Sequence, residues 1–194
     1  GHHFFAMELV RGETLDRYLA RRSGPIDPAE LDHRLELFRK VCDAVQYAHQ
    51  RGVIHRDLKP SNIMLTWLPS GKFQIKIVDF GLATLAGQTR LTRAGTLLGT
   101  VAYMSPEQAR SVAVDARSDI YSLGVVLYQM AVGDVPFKAD TPMAVMFKHI
   151  HDPLPLPREQ VPDFPEPVER IILKALAKNP DDRYSTAIEL VNAL

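Results

Sequence analysis

Residues Ile120 to Val132 form the longest apolar run in the chain, and no other stretch constrains the fold as much. The run reads as a helix opened at Ser118-Asp119 and closed by Gly133. It is apolar on most sides, so other elements must wrap it and it should lie at the centre of a core. Tyr121, Ser122, Tyr128 and Gln129 interrupt it, which makes it too short and too polar for a bilayer span. A chain of 194 residues can supply the wrapping, as one large domain or two small ones. Apolar residues at 46% and charged residues at 24% fit a soluble protein with a buried core.

Lys plus Arg number 23, as do Asp plus Glu, so the formal net charge is zero. This balance gives no support for a nucleic-acid partner or an acidic membrane surface. Cys42 is the only cysteine, so no disulfide forms within the chain. That fits a reducing, cytoplasmic compartment. Cys42 itself reads as a small buried apolar residue. No secretory signal and no membrane segment are visible in the chain. The chain begins inside an apolar segment, Phe4-Phe5-Ala6-Met7, without an initiating Met or an entry cap, and reads as a cut end.

Around the central helix the signals run in order. Phe4 to Leu9 reads as an edge strand, and Thr14 to Arg22 as a short helix ended by Ser23-Gly24-Pro25. Asp27-Pro28-Ala29-Glu30 is a helix start: an Asp cap, Pro at the first position, and a Glu placed to complete a capping box. Leu31, Leu35, Phe38, Cys42, Val45 and His49 then share one face, and Gly52 ends that helix. Ile63 to Leu65, and Phe73, Ile75 and Ile77 alternating with polar residues, predict a hairpin turning at Pro69-Ser70-Gly71. Leu82 to Gly99 has no clear period and reads as a long functional loop. Ser105-Pro106-Glu107-Gln108 opens another helix with a capping box, and Thr141-Pro142 caps one running to about His151. The prolines from Pro153 to Pro167 predict an extended connector, followed by closing helices at Glu169 to Lys178 and Thr186 to Leu194.

Between the first long helix and the hairpin lies Val53-Ile54-His55-Arg56-Asp57-Leu58-Lys59-Pro60-Ser61-Asn62. It concentrates an imidazole, a fixed cation, a carboxylate, a mobile cation and a neutral oxygen donor in one short loop. Phosphoryl transfer uses such a set: a carboxylate for the attacking hydroxyl, a cation for the phosphate and oxygens for a metal ion. The stretch matches the signature H-R-D-L-x-x-x-N. Asp79-Phe80-Gly81, Gly99-Thr100, Ser105-Pro106-Glu107, Asp119 to Gly124 and Arg183 follow in order.

With these pieces the chain resembles the larger, C-terminal lobe of a bacterial eukaryotic-like (Hanks-type) serine/threonine protein kinase. The resemblance covers nearly all of residues 1–194. It implies a mainly helical fold with a short antiparallel hairpin carrying the catalytic loop, and residues 1–12 as the end of an N-lobe strand and the hinge. It implies Asp57 as the catalytic carboxylate, Lys59 as the lysine that neutralises the transferring phosphoryl group, and Asn62 and Asp79 as ligands of Mg2+ or Mn2+. Lys59 followed by Pro60 favours Ser/Thr over Tyr as acceptor. His55, Phe80 and Gly81 belong to scaffold, as do Thr100 against the catalytic loop, Asp119 beneath it, and the ion pair of Glu107 with Arg183. Arg56 resembles the arginine that receives a phosphorylated activation-loop residue, with Thr89, Thr92 and Thr96 as the acceptors. For ATP, Met7 would be the gatekeeper, Glu8 and Val10 would meet the adenine edge, Met64 would close its floor, and Glu13 would meet the ribose.

Two departures matter. Ser105 stands where the family commonly has Ala. No glycine-rich loop and no lysine with a partnering glutamate helix precede Phe4, although the family needs them to hold the nucleotide phosphates. The expected activity is ATP-dependent phosphorylation of Ser/Thr in protein substrates, with autophosphorylation of the activation loop. The chain alone is expected to be inactive. A homodimer, and membrane anchoring of a full-length protein, are family expectations. The alternative is a pseudokinase that serves as a binding scaffold, against which the intact Asp57, Lys59, Asn62 and Asp79 argue.

Overall fold

The computed structural model describes residues 9–22, 24, 26–68, 73–80 and 99–194. The expected strand up to Leu9, the turn at Pro69 to Gly71 and the loop from Leu82 to Gly99 fall wholly or almost wholly outside these residues. So do Met7, Glu8, Gly81, Thr89, Thr92 and Thr96.

A short strand, β1 (Glu13–Thr14), leads into helix α1 (Leu15–Ala20) and then the long helix α2 (Pro28–His49). A 3-10 turn at Pro60–Asn62 precedes the hairpin β2 (Ile63–Trp67) and β3 (Phe73–Ile77). The remaining helices are α3 (Pro106–Ala109), α4 (Ala116–Val132), α5 (Pro142–His151), α6 (Pro157–Gln160), α7 (Glu166–Ala175) and α8 (Ala187–Ala193). The described part is thus helical with one three-stranded antiparallel sheet, ordered β1-β2-β3.

Helix α4 occupies the centre, as its apolar girth requires. From Ile120 to Tyr128 every side chain is buried, together with Met130 and Ala131. Helices α2 and α7 pack on it, with α6 alongside. Gly124 makes the α7 contact close: a Cβ there would sit 3.0 Å from the side chains of Ala175 and Leu176. The helix begins at Ala116 rather than at Ser118, because the Asp115 side chain accepts from the Arg117 backbone N–H and so caps the first turn. It ends at Gly133, whose φ of 99° suits a residue without Cβ.

Helix α2 starts as its sequence indicates, with the Glu30 N–H donating to Asp27 Oδ1 at 2.8 Å. The return half of the expected capping box is not made. The Glu30 carboxylate instead accepts from Arg34 at 2.7 Å and Arg22 at 2.8 Å. The buried face of α2 includes Phe38, Cys42 and Val45, and also Leu37, Val41 and Arg34. Arg34 is tolerated there because its guanidinium also donates to the carbonyls of Met130 and Arg22.

The hairpin pairs Ile63 with Ile77 and Trp67 with Phe73. Strand β1 adds to its other edge, Glu13 opposite Leu65 and Thr14 opposite Met64. Gly12 permits the approach, since a Cβ there would lie 2.2 Å from the Leu65 carbonyl oxygen. The proline-rich connector is not wholly extended. Pro157 suits a first helical position, and α6 forms there. Helix α7 starts at Glu166, three residues earlier than its apolar period marks, and stops at Ala175.

Candidate active site

The loop from His55 to Asn62 is held from below by one carboxylate. Asp119, in the first turn of α4, is buried. Its Oδ2 accepts from the His55 N–H at 2.8 Å and its Oδ1 from the Arg56 N–H at 2.9 Å. His49 Nε2, at the end of α2, lies 2.8 Å from the same Oδ2. Two backbone N–H groups and a histidine ring nitrogen thus converge on one buried carboxylate and fix its orientation beneath the loop.

That anchorage stabilises an unusual backbone. Arg56 has φ of 67°, a left-handed conformation rarely adopted by a non-glycine residue. Its N–H is fixed by Asp119, and its carbonyl accepts from Gln108 Nε2 at 2.6 Å. Strain of this kind persists only where surroundings over-determine it. Gln108 thereby serves two elements: its Oε1 accepts from the Ser105 N–H at 3.0 Å in the α3 capping box, and its amide N–H holds Arg56.

Above the anchor three of the four expected transfer residues, Asp57, Lys59 and Asn62, fall into one cluster. Lys59 Nζ donates to Asp57 Oδ1 at 3.0 Å, to Asp57 Oδ2 at 2.9 Å and to Thr100 Oγ1 at 2.8 Å. Asn62 Nδ2 donates to the Asp57 carbonyl at 2.8 Å and lies 3.3 Å from Asp57 Oδ2. The Asn62 backbone carbonyl accepts from the Val78 N–H at 2.9 Å, which ties the residue before Asp79 to Asn62. Asp79 is exposed, with φ of 62°, a conformation that Asp tolerates better than most residues. Asp57 is half-buried and Asn62 buried, so the cluster has a closed back and an open front.

His55 accounts for all its donors and acceptors in one tautomer. Its Nδ1 accepts from the Asp57 N–H at 3.2 Å, so its Nε2 carries the proton donated to the Val78 carbonyl at 2.9 Å. The ring packs on Phe80 with centroids 4.8 Å apart. Its work is architectural, tying the loop to the residue before Asp79.

The ion pair of Glu107 with Arg183 is present and bidentate, both contacts being 2.8 Å. Ser118 Oγ also donates to Glu107 at 2.6 Å. The remaining Arg183 donors meet the carbonyls of Ala177, Arg117 and Lys178. Burial pushes the Glu107 carboxyl up, but the hydrogen bonds from Arg183 and Ser118 more than offset that and hold it below its ordinary value.

Of the residues expected to meet a nucleotide, Val10, Glu13 and Met64 are described. Val10 and Met64 are half-buried, Met64 on β2 opposite Thr14 and Lys76. The Glu13 carboxylate is engaged by Arg21, the residue that caps the end of α1. A cavity of about 20 Å³ lies under the His55–Asn62 loop, lined by Arg56, Asp57, Thr100, Tyr103 and Gln108 among others, with room for one water. Arg56 Nε is buried and has no hydrogen-bond partner among the described residues.

Two contributors were not singled out from the sequence. His49 shows there only as one more position on the α2 face, and Gln108 only as a capping residue. The amide of Gln108 has a donor left over after capping, which is the signal that could have found it.

A model of the protein kinase domain matches residues 1–193. Serine/threonine-protein kinase PknB of Mycolicibacterium smegmatis is 44% identical over 190 residues, which cover 96% of this chain and 29% of the relative. PknB of Mycobacterium leprae is 42% identical over 189 residues, 96% of this chain and 29% of the relative. Serine/threonine-protein kinase PrkC of Bacillus subtilis is 38% identical over 188 residues, 97% of this chain and 28% of the relative. The chain therefore spans less than a third of the length of these curated relatives.

Proposed function

The chain belongs to the protein kinase family, with bacterial Hanks-type serine/threonine members as its relatives, and we propose that it transfers the γ-phosphoryl group of ATP to Ser and Thr hydroxyls of protein substrates. The arrangement of Asp57 carries the reading. Its carboxylate is oriented by Lys59 and Asn62 yet faces an open front, where a hydroxyl can approach. In that position Asp57 orients the hydroxyl and accepts its proton as the oxygen attacks phosphorus. Lys59 already bridges Asp57 and Thr100, so a small movement of its ammonium serves the transferring phosphoryl group.

Asn62 and Asp79 suit a magnesium ion. Asn62 spends its Nδ2 on Asp57, which leaves its Oδ1 as a ligand, and the exposed Asp79 supplies a carboxylate beside it. Two protein oxygens are what Mg2+ takes when nucleotide phosphates and water complete its shell, and Mn2+ accepts the same donors. The ion, when bound, neutralises charge on the phosphates.

We read residues 1–12 as hinge and the remainder as the larger lobe of one kinase domain. Met7, Glu8, Val10 and Met64 then border the adenine. Glu13 reaches the ribose by leaving Arg21. Arg56, whose buried Nε has no partner among the described residues, receives a phosphate on Thr89, Thr92 or Thr96. A kinase homodimer, in which one copy phosphorylates another, belongs to the same reading, as does anchorage of a longer protein from the cytoplasmic side of a membrane. Among the described residues no helix is long and apolar enough to cross a membrane. Residues 1–194 hold no glycine-rich loop to cover the phosphates, so we expect them to bind Mg–ATP weakly when isolated.

The test is mass spectrometry of the protein from its complete open reading frame, intact and as Asp57→Asn, expressed with ATP supply. Phosphate on activation-loop threonines of the first and not the second supports the transfer. Equal phosphate on both defeats it and favours the scaffold reading.

A further inference from the structure

A cavity of about 590 Å³ opens where the end of α1, the start of α2 and the turn end of the hairpin meet. It is lined by Tyr18, Arg21, Arg22, His33, Trp67 and Phe73, and no residue of the transfer cluster contributes to it. Three of these six side chains are aromatic, two are guanidinium cations and one is an imidazole; none of them is a carboxylate. That is a local imbalance in a chain whose formal charges cancel.

The walls are fixed by their own contacts. Trp67 and Phe73 are register partners on β2 and β3, with ring centroids 5.7 Å apart and planes at 71°. Tyr18 is buried, and its hydroxyl lies 2.7 Å from His33 Nε2, which ties α1 to α2. The Arg22 guanidinium lies over the Tyr18 ring at 5.2 Å, and Lys40 Nζ over the Phe73 ring at 5.0 Å, so cations accompany two of the three aromatic walls. Trp67 is nevertheless 55% exposed. A concave site of this volume, with aromatic walls and a few placed polar groups, has the form of a small-molecule pocket.

The guanidiniums at its rim can be recruited. The Arg21 side chain is 67% exposed and pairs with Glu13, and that of Arg22 is 43% exposed and pairs with Glu30. Exposed pairs contribute little to stability, so a second carboxylate can draw either cation at small cost. Glu30 retains its bond from Arg34 Nε at 2.7 Å when Arg22 is drawn off. A guanidinium also presents parallel N–H donors to a carboxylate, which an ammonium does not.

We propose that this cavity is a binding site for a small planar aromatic carboxylate, its ring seated among Tyr18, Trp67 and Phe73 and its charge met by Arg21 and Arg22. Charge complementarity selects the anion, since a cation would meet like charge at the rim and a neutral ring would gain nothing from it. The aromatic walls select the ring, since a small anion such as acetate would meet the cations and cover none of the walls. The assignment stands on the lining of the cavity and does not depend on the kinase reading above.

The test titrates the complete protein with 2-naphthoate, with its neutral isostere 2-naphthamide, and with acetate. Trp67 is the only tryptophan of residues 1–194. Labelling with 5-fluorotryptophan gives it a fluorine NMR resonance, identified as the one that Trp67→Phe removes. 2-Naphthoate should shift that resonance saturably and bind about tenfold more tightly than 2-naphthamide, equivalent to ~1.4 kcal/mol, which one charge-assisted hydrogen bond can supply. Acetate should leave the resonance in place. Arg21→Gln combined with Arg22→Gln should reduce 2-naphthoate to the affinity of 2-naphthamide, and both side chains are exposed enough for the variant to fold. Trp67→Ala should weaken 2-naphthoate about fivefold in calorimetry, through the lost ring contact. Equal affinity for the naphthoate and the naphthamide, an equal shift with acetate, or a shift unchanged by the double Arg substitution overturns the proposal. So does a resonance moved by an acetylated and amidated Glu-Trp-Glu peptide at concentrations where 2-naphthoate leaves it unmoved, which would make the cavity a docking groove for a partner chain.

Discussion

The Glu107–Arg183 and Asp57–Lys59 pairs join the same charges at nearly the same distance, 2.8 Å and 2.9 Å. In the first, the Arg183 side chain is 0% exposed and the Glu107 side chain 8%. All of the Arg183 nitrogens that can donate are committed, two of them to the carboxylate and the rest of their capacity to backbone carbonyls of three separate residues. In the second, Lys59 is 17% exposed and Asp57 28%, and the ammonium is shared with the Thr100 hydroxyl. A guanidinium fork fixed on all sides has one arrangement. An ammonium on a flexible stem at an open front has several. The first pair can only hold elements together, whereas the second can exchange partners as substrate arrives.

The largest effect should come from the open pair. Asp57→Asn keeps the size and removes the proposed base, so peptide phosphorylation by the complete protein should fall by about 10²–10⁴-fold. Its melting temperature should move by less than ~3 °C, since a partly exposed pair contributes ~1 kcal/mol or less. A large drop in melting temperature alongside the lost activity would erase the contrast between the two pairs.

The closed pair should behave in the opposite way. Glu107→Ala leaves a guanidinium buried without its carboxylate, and should cost about 3–5 kcal/mol in urea unfolding. Arg183→Met combined with Glu107→Leu removes both charges and should recover most of that loss. If the double substitution is no better than the single one, the fork's bonds to the Ala177, Arg117 and Lys178 carbonyls matter more than the ion pair itself.

Acid should separate the closed region again, this time through protons. His149 falls from 6.5 to about 4 on folding, mainly by burial. The folded state thus binds its proton less readily than the unfolded state, and stability is complete above pH 6.5 and lost as pH falls toward 4. The shift corresponds to about 3 kcal/mol, from ~1.36 kcal/mol for each pH unit. Glu107 is held below its ordinary value, so its contribution persists to lower pH and is lost only as pH falls through that depressed range. Urea midpoints between pH 7 and pH 4 should fall less steeply in His149→Gln than in the unsubstituted protein. Equal slopes would show that the ring is protonated as easily folded as unfolded.

How far the sequence could be read follows the range of the interactions. Asp57, Lys59 and Asn62 sit within one short stretch, and their match to H-R-D-L-x-x-x-N can be seen before any geometry is known. Caps made by adjacent residues, as at Asp27, Ser105 and Thr141, were legible for the same reason. The start of α4 was not. Asp115 caps the helix ahead of its apolar period, while Ser118 and Asp119, which look like a cap, spend their side chains on Glu107 and on the His55–Arg56 backbone. Strand β1 has two residues, too few to show a period, and exists because β2 is there to pair with it. The His49 bond to Asp119 spans 70 residues of sequence and leaves no local mark.

Gln108 lies between the two regions, and its smaller effect can assign it to one of them. Its carbonyl oxygen caps α3, a scaffold task, and its amide nitrogen holds the strained Arg56 carbonyl, next to Asp57. Gln108→Glu retains the capping box, because Glu serves that position as well as Gln, but removes the donor to Arg56. If the bond to Arg56 serves the chemistry, kcat should fall about fivefold, the equivalent of one net hydrogen bond of ~1 kcal/mol, with the urea midpoint little changed. If it serves only to hold the fold, the same ~1 kcal/mol should appear as lost stability with kcat intact. The left-handed backbone of Arg56 favours the first outcome. A residue held in that conformation by donors on both sides is a place where loosening one bond changes the direction in which the next carboxylate points, before it changes whether the chain stays folded.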